Sequence, residues 1–473
     1  MMAEWQLPVL AFLLSLVAIL DAVEFEREKV CYATNQDPYL HFATKTAYEF
    51  VYGKKKYQPI PNCSPKQIWV LARHGTRYPT QEEIVKLRNL SKLRDIIVRN
   101  HEERRTGSLC EKDIENLKEW QYNVAESEER NLTIQGWNEQ RLLAMRIKTN
   151  FHSILDGPYS PEKFTIVSTN TTRTMLSAKA FIEGMFGEDP DIPELVINNT
   201  VIKPYKGCDR WKKEVDHNPK TSEEMELFSK SAIMNTVVAN VSRRLGFLSN
   251  LTESDLHNMF MMCAFGKSWD YYKVSPWCAA FTTEELKLME YSRDLWHYYK
   301  SGYGSELNYK IGCPAVRDMY ERFERLANNE PEKNGVFYFT HSTAVNTVLT
   351  RLGIAKDPFQ LKHDNYFSSL KRKWQTSLIG PFNANLQAIF YKCTDGDENR
   401  VSFFLNEHLV NYEGCDVGLC SWRYLQQKLK SVVDPSSCNR DFCFYSSSSI
   451  VRTNLSTILS SLLLIFSVMN FLT

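Results

Sequence analysis

Three stretches of the chain share one pattern, and that pattern limits the fold more than any other feature of the sequence. "QIWVLARHGTRYP", "KFTIVSTNTTRTMLSAKAFIEGMFG" and "GVFYFTHSTAVNTVLTRLG" each begin as a β-branched or aromatic run and end in polar residues that lead into a helical pattern. A short apolar run bounded by turn residues reads as a buried strand. The second stretch is read as strand over Phe164 to Ser168 and helix from Thr172, the third as strand over Val336 to Phe339 and helix from Thr343. Strands alternating with helices build an α/β layer fold around a mostly parallel sheet. Ligands bind such sheets beyond the carboxyl ends of the strands. Arg73, His74 and Arg77 lie just past the first strand, Arg173 past the second and His341 past the third.

The rest of the chain is arranged around that sheet. Between Pro190 and Asn334, "SEEMELFSKSAIMNTVVANVSRRLGFL" and "TTEELKLMEYSRDLWHYYKSGYG" have helical periodicity and no strong strand. The expected division is a discontinuous, three-layer α/β domain over 23–189 and 335–435, interrupted by a mainly helical insertion over 190–334. "EEIVKLRNLSKLRDIIVRNHEER" and "NLTIQGWNEQRLLAMRIKTNFHSIL" read as amphipathic helices packed on the sheet. "NLQAIFYKC" and "RVSFFLNE" flank "TDGDEN" as a hairpin. The acidic residues of that turn lack the EF-hand pattern and suggest no calcium site.

Both ends read as processing signals. The uncharged run "LPVLAFLLSLVAIL" places a secretory signal peptide over residues 1–22, although the usual basic flank is missing and a membrane anchor is the competing reading. Residues 436–473 combine serines 446–449, a polar spacer and an apolar tail, the order of a glycosylphosphatidylinositol attachment signal. Sequons begin at Asn62, Asn89, Asn131, Asn170, Asn198, Asn240 and Asn250. Twelve cysteines, an even number without metal-ligand spacing, imply several disulfides in an oxidising compartment. Cys263 with Cys278 and Cys415 with Cys420 are plausible local pairs, but sequence leaves the connectivity open. The expected location is the outer leaflet of the plasma membrane, reached through the secretory pathway and held by the lipid anchor. Lys plus Arg (57) balance Asp plus Glu (56), so the charge gives no support to a nucleic-acid surface. Any anion site must be local.

The chemistry of the three strand ends is specific. Guanidinium presents a planar fork that matches phosphate oxygens and does not lose its charge. Three arginines at adjacent strand ends would hold one phosphoryl group without a metal or other cofactor. No HExxH, Cys or His knuckle or P-loop is present. A histidine in such a clamp can attack phosphorus and carry it as phosphohistidine, the guanidiniums stabilising the developing charge.

"RHGTRYP" resembles the signature of the histidine acid phosphatases. "HFATKTAYE", Arg173 in "TRTMLSAKAF", Leu132 and Gly136 in "LTIQGW", "SPWC", "GYG" at 302–304 and "NLQAIFYKC" are similar to the multiple inositol polyphosphate phosphatase branch. The resemblance implies a phosphoglycerate-mutase-like fold with His74 as nucleophile. It implies phosphoryl binding by Arg73, Arg77, Arg173 and His341, and inositol polyphosphates as substrates. One departure stands out. Relatives place a carboxylate one or two residues after the distal histidine, but here Ser342 and Thr343 occupy those positions. Neither hydroxyl is acidic enough to protonate a leaving alkoxide well. Three outcomes follow from that gap: a slower phosphatase that takes its proton from another carboxylate or from water, a substrate with a good leaving group, or a cell-surface phosphate-binding protein with weak or lost turnover. A mutase is a further alternative, if an acceptor hydroxyl outcompetes water. Lys45, in "HFATKTAYE", is either a lining residue of a polyanion pocket or a solvated lysine. His363 with Asp364 reads as a surface pair, His41, His217 and His408 as residues without catalytic role, and the Asn170 sequon as too near the site for a glycan.

Overall fold

The computed structural model describes residues 31–32, 40–55, 57–188, 195–394 and 399–445. Its strands are β1 (Cys63–Arg73), β2 (Phe164–Ser168), β3 (Val196–Ile197), β4 (Gly335–Thr340), β5 (Asn385–Cys393), β6 (Asn399–Leu405), β7 (His408–Leu409) and β8 (Leu419–Ser421). They form one sheet in the order β3-β2-β4-β1-β5-β6-β7, with β8 paired to β6. β1 to β4 run parallel to one another. β5 to β8 pair antiparallel. The sheet is therefore mixed, and its parallel half is the one that carries the site. β5 and β6 pair as the hairpin reading required, although the turn residues 395–398 lie outside the described residues.

Alternation along β1 divides the core. Ile68, Val70 and Ala72 pack with Leu143, Ile147 and Phe181. Trp69 and Leu71 belong to the opposite cluster, with Val316 and Val345. The covering helices, in chain order, are α1 (Gln81–Arg88), α2 (Ile134–Asn150), α3 (Thr172–Phe186), α4 (Thr283–Ser301), α5 (Cys313–Ala327), α6 (Ser342–Leu352) and α7 (Trp422–Val433). α2 and α3 cover one face, α5 and α6 the other, which makes three layers. Trp69 Nε1 and Tyr338 OH both donate to Asp318 of α5, at 2.9 and 2.8 Å.

The span 190–334, read from sequence as a mainly helical insertion, also contains elements of the sheet and of the layer covering it. β3 lies inside that span yet pairs with β2, and α5 near its far end packs on the sheet. A two-residue strand is too short to show a period, and an amphipathic helix looks the same wherever its apolar face is buried. The C-terminal reading is also corrected in part. Helical turns at Pro435–Cys438 and Asp441–Cys443 are tied into the fold by the disulfides Cys313–Cys438 and Cys208–Cys443. Residues 436–445 thus belong to the folded body, while 446–473 and the span 1–22, read from sequence as a signal peptide, lie outside the described residues. The remaining disulfides are Cys31–Cys110, Cys63–Cys393, Cys263–Cys278 and Cys415–Cys420, the last two being the local pairs expected. No helix among the described residues is long and apolar enough to cross a membrane.

Register brings the strand ends level. Arg73 pairs with Thr340 across β1 and β4, and Ser168 with Phe339 across β2 and β4. The next residues, His74, Thr169 and His341, therefore emerge together at one rim.

Candidate active site

Arg73, the last residue of β1, is held from several sides. Its Nη1 donates to Thr44 O at 2.6 Å and to Gly380 O at 2.9 Å, and its guanidinium lies 4.6 Å over the Phe382 ring. His74 follows, with its backbone N–H donating to Thr340 O at 2.9 Å. Its Nδ1 sits 2.8 Å from Gly75 O, which can only accept, so Nδ1 carries the proton and Nε2 keeps its lone pair. Burial first, and then Arg73, Arg173, His341 and Arg77, push the His74 pKa well below the usual imidazole value. The ring is therefore kept neutral and nucleophilic.

Gly75 lets the loop cross the first turn of α2. A Cβ on Gly75 would strike Gly136 O, and one on Gly136 would strike Thr76 O. Thr133 N–H donates to Thr76 O at 2.9 Å, Leu132 forms a β-bridge with Arg77, and Arg77 Nη1 donates to Tyr78 O at 2.6 Å. Beneath this loop, Thr76 donates from N and Oγ1 to the two oxygens of Glu139, both at 2.8 Å.

The second and third strand ends complete the ring. Arg173 stands in the first turn of α3, where a cation opposes the helix dipole. Its Nη2 lies 3.2 Å from His341 Nδ1. A guanidinium only donates, so His341 Nδ1 accepts and its Nε2–H donates to Thr169 Oγ1 at 3.1 Å. Burial, and next Arg77 and Arg130, bring the Arg173 pKa down to about 10. The two imidazoles stand edge to face, with centroids 5.7 Å apart. Every residue read from sequence as a site member, Arg73, His74, Arg77, Arg173, His341, Ser342 and Thr343, lines one cavity of about 510 Å³.

The same cavity holds residues that the sequence reading missed. Arg130, Lys203, Lys206, Arg293, Trp296 and His297 line it, together with Lys45. Its place in the lining decides for the pocket reading of Lys45 over the solvated one, and burial, opposed by Glu83 and reinforced by Arg77, Arg73 and Arg293, lowers its pKa to about 7. Arg293, Trp296, His297 and Lys300 occur at helical spacing in "RDLWHYYK", and that polar and aromatic stripe was the available signal. Two carboxylates, Glu83 and Asp216, also face the cavity. Glu83 accepts from Thr80 N at 2.8 Å as part of the capping box of α1. Burial would raise its pKa, but Lys45, Arg77 and the Thr80 hydrogen bonds outweigh it and hold the carboxyl ionised. Asp216 is paired with Lys300. Neither carboxylate is free to give a proton.

Of the discounted histidines, His217 is exposed beside Asp216 and the others lie elsewhere. His363 contacts Glu224 at 2.7 Å, His41 pairs with Glu290 at 2.9 Å, and His408 bonds Val51 O at 2.7 Å. A larger cavity of about 970 Å³ opens at the far end of α6, among Tyr303, Lys356 and Tyr412, and contains none of the clustered groups.

Two imidazoles and three guanidiniums around one hollow, at the rim of a three-layer α/β sheet, define a histidine-dependent phosphoryl-transfer site. The family model of the Histidine phosphatase superfamily (branch 2) matches residues 66–406, and the chain belongs to that family. It is a phosphomonoesterase of the histidine acid phosphatase type, in the multiple inositol polyphosphate phosphatase branch. Multiple inositol polyphosphate phosphatase 1 of Drosophila melanogaster is 35% identical over 446 residues, covering 91% of this chain and 93% of the relative. The Homo sapiens protein of the same name is 27% identical over 413 residues, covering 80% and 83%. Among solved structures, the phytase from D. castellii superposes with a TM-score of 0.67 at 19% identity, over 86% of this chain and 91% of that one. The Bifidobacterium longum multiple inositol polyphosphate phosphatase in complex with inositol hexasulfate gives 0.62 at 12%, over 84% and 98%.

Proposed function

We propose that this enzyme hydrolyses inositol polyphosphates through a phosphohistidine on His74. The observation that carries the reading is the excess of cations over carboxylates around a neutral imidazole. Arg73, Arg77 and Arg173 suffice for one phosphoryl group, yet Lys45, Arg130, Lys203, Lys206 and Arg293 line the same hollow. A substrate bearing several phosphates would neutralise that excess. In the first step the His74 Nε2 lone pair forms the N–P bond while the ester P–O bond breaks, and its electron pair leaves on the alcohol oxygen. The three guanidiniums share the charge of the equatorial oxygens. A bound dianion also favours the protonated form of His341, which then donates to a phosphoryl oxygen. Water attacks phosphorus in the second step, the N–P pair returns to His74, and phosphate departs.

Rapid quench with radiolabelled inositol hexakisphosphate tests this. An acid-labile, base-stable phosphoenzyme that appears with the native protein and is absent from His74→Ala is expected. No label on the native protein, with binding intact, would support the second reading, a phosphate-binding protein with little turnover. That reading is favoured by one observation: Ser342 and Thr343 stand where relatives carry an acid, and the cavity's two carboxylates are already paired.

We further propose that the enzyme works outside the cell on a lipid anchor, as an α/β phosphatase domain with a helical insertion. The pairing of all twelve cysteines in six disulfides, among the described residues, supports an oxidising compartment. Release from intact cells by a phosphatidylinositol-specific phospholipase C is expected, and full retention would oppose the anchor.

A further inference from the structure

Because the acid expected after His341 is missing, the proton for the leaving alcohol must come from elsewhere in the cavity. We propose that Lys203 is that donor, an inference that rests on the phosphohistidine reading above. Geometry places it on the cavity wall next to His341. Thr340, the last residue of β4, donates from Oγ1 to Ile202 O at 2.5 Å, which pins the chain immediately before Lys203 beside His341. Thr343 stands two residues past His341 on the first turn of α6, so Lys203 and Thr343 flank the same imidazole, and both line the cavity. Among the described residues no carboxylate pairs with Lys203, whereas Asp216 is taken by Lys300.

The charges facing Lys203 are those of Arg173 from α3, Lys206 from its own turn and His341 from the end of β4, with the Tyr205 hydroxyl beside them. Burial, then Arg173 and Lys206, lower its pKa to about 8. Its ammonium is thus present at neutral pH and gives up a proton more readily than a solvated lysine. Lys45, the other lysine of lowered pKa, has Glu83, Arg77, Arg73 and Arg293 as charged neighbours and not His341. The steps balance. As the ester P–O bond breaks, the leaving oxygen takes a proton from the Lys203 ammonium and departs as the alcohol. The resulting amine then takes a proton from the water that attacks phosphohistidine, which restores the ammonium as phosphate is released.

The test compares an alkyl phosphate, which needs the proton, with p-nitrophenyl phosphate, which does not. Lys203→Met is expected to lower kcat/KM on the alkyl ester by about 10²-fold or more, within the range for a lost general acid. The aryl ester should lose less than about tenfold, and the alkaline limb of the native pH profile near pH 8 should vanish. Lys203→Arg keeps the charge but cannot release a proton, and should be as slow as Lys203→Met on the alkyl ester. Adding Thr343→Glu to Lys203→Met should recover at least part of the alkyl rate, with a limb moved to acid pH. Native rates for Lys203→Arg, equal losses on both esters, or no recovery in the folded double variant would each overturn the assignment. Phosphohistidine trapping from p-nitrophenyl phosphate separates the two readings. If the native enzyme yields no label, the nucleophile has failed; if label forms and the lysine variants match native rates, only the donor has.

Discussion

At the scale of single residues, the site spends stability to stay ready for an anion. His74 and His341 are buried among cations and held neutral, and Arg173 is kept below its ordinary pKa with Arg77 and Arg130 as neighbours. The consequence for pH has a definite sign. His74 titrates in the unfolded chain near the usual 6.5 but well below that when folded. As pH falls through that value the unfolded chain takes up a proton that the folded protein refuses, so stability without phosphate declines. An NMR titration of labelled histidine should find His74 still neutral at pH 6. Arg173→Gln removes a cation and should raise the His74 pKa, and bound phosphate should raise it further. A His74 that protonates at its ordinary pKa in the native protein would contradict the electrostatic account. This readiness was only partly legible. Arg73, His74 and Arg77 sit together in one heptapeptide, and Arg173 and His341 were found because each follows an apolar run. Arg293 belongs to a helix whose period reveals a buried face but not the cavity it borders, and Lys203 joins two four-residue helical turns too short to show a period.

At the scale of elements, three parallel strands that end level do the positioning, and the first turn of α2 fits against the loop after β1. Gly136 is the residue on which that fit depends. In an ordinary helix, glycine to alanine would stabilise by up to about 1 kcal/mol. Here the added methyl would meet Thr76 O, and Thr76 is also fixed by both oxygens of Glu139. Gly136→Ala is therefore expected to lower both the melting temperature and kcat, by about tenfold or more in rate, because the loop holding His74 and Arg77 must shift. A more stable, fully active variant would show that the contact relaxes freely. The motif "LTIQGW" displayed this glycine, but its reason was invisible in sequence, because the partner carbonyl lies 60 residues earlier. The direction of β5 was hidden for a similar reason. An apolar run such as "NLQAIFYKC" shows a buried strand whichever way it runs; β5 runs antiparallel to β1 because residues 353–384 carry the chain from the end of α6 back to the rim beside Arg73 and His74, where β5 begins.

At the scale of the whole molecule, the C-terminal segment closes the site from outside the sheet. The turn carrying Lys203, Tyr205 and Lys206 ends at Cys208, which is bonded to Cys443, and Arg440 Nη2 donates to Pro204 O at 3.0 Å. One wall of the cationic hollow thus hangs on residues 235 positions further along the chain. Sequence reading placed those residues in an anchor segment, because serine content and an apolar tail dominate the composition and cysteine pairing is not readable from spacing. A bridge closing so long a loop contributes more than one closing a short loop, within a range of about 2–5 kcal/mol for native disulfides. Replacing Cys208 and Cys443 by alanine should therefore lower stability by that order and raise KM for polyphosphorylated substrates, because Arg130, Arg173 and Lys45 keep their places while the Lys203–Lys206 wall loosens. Replacing Cys415 and Cys420, whose separation is only 5 residues and whose loop lies away from the hollow, should cost less stability and leave KM unchanged. Thermal melts and steady-state kinetics on the two pairs distinguish a wall held by its distant bridge from one that stands alone, since equal KM values in both would leave the C-terminal segment with no part in the site.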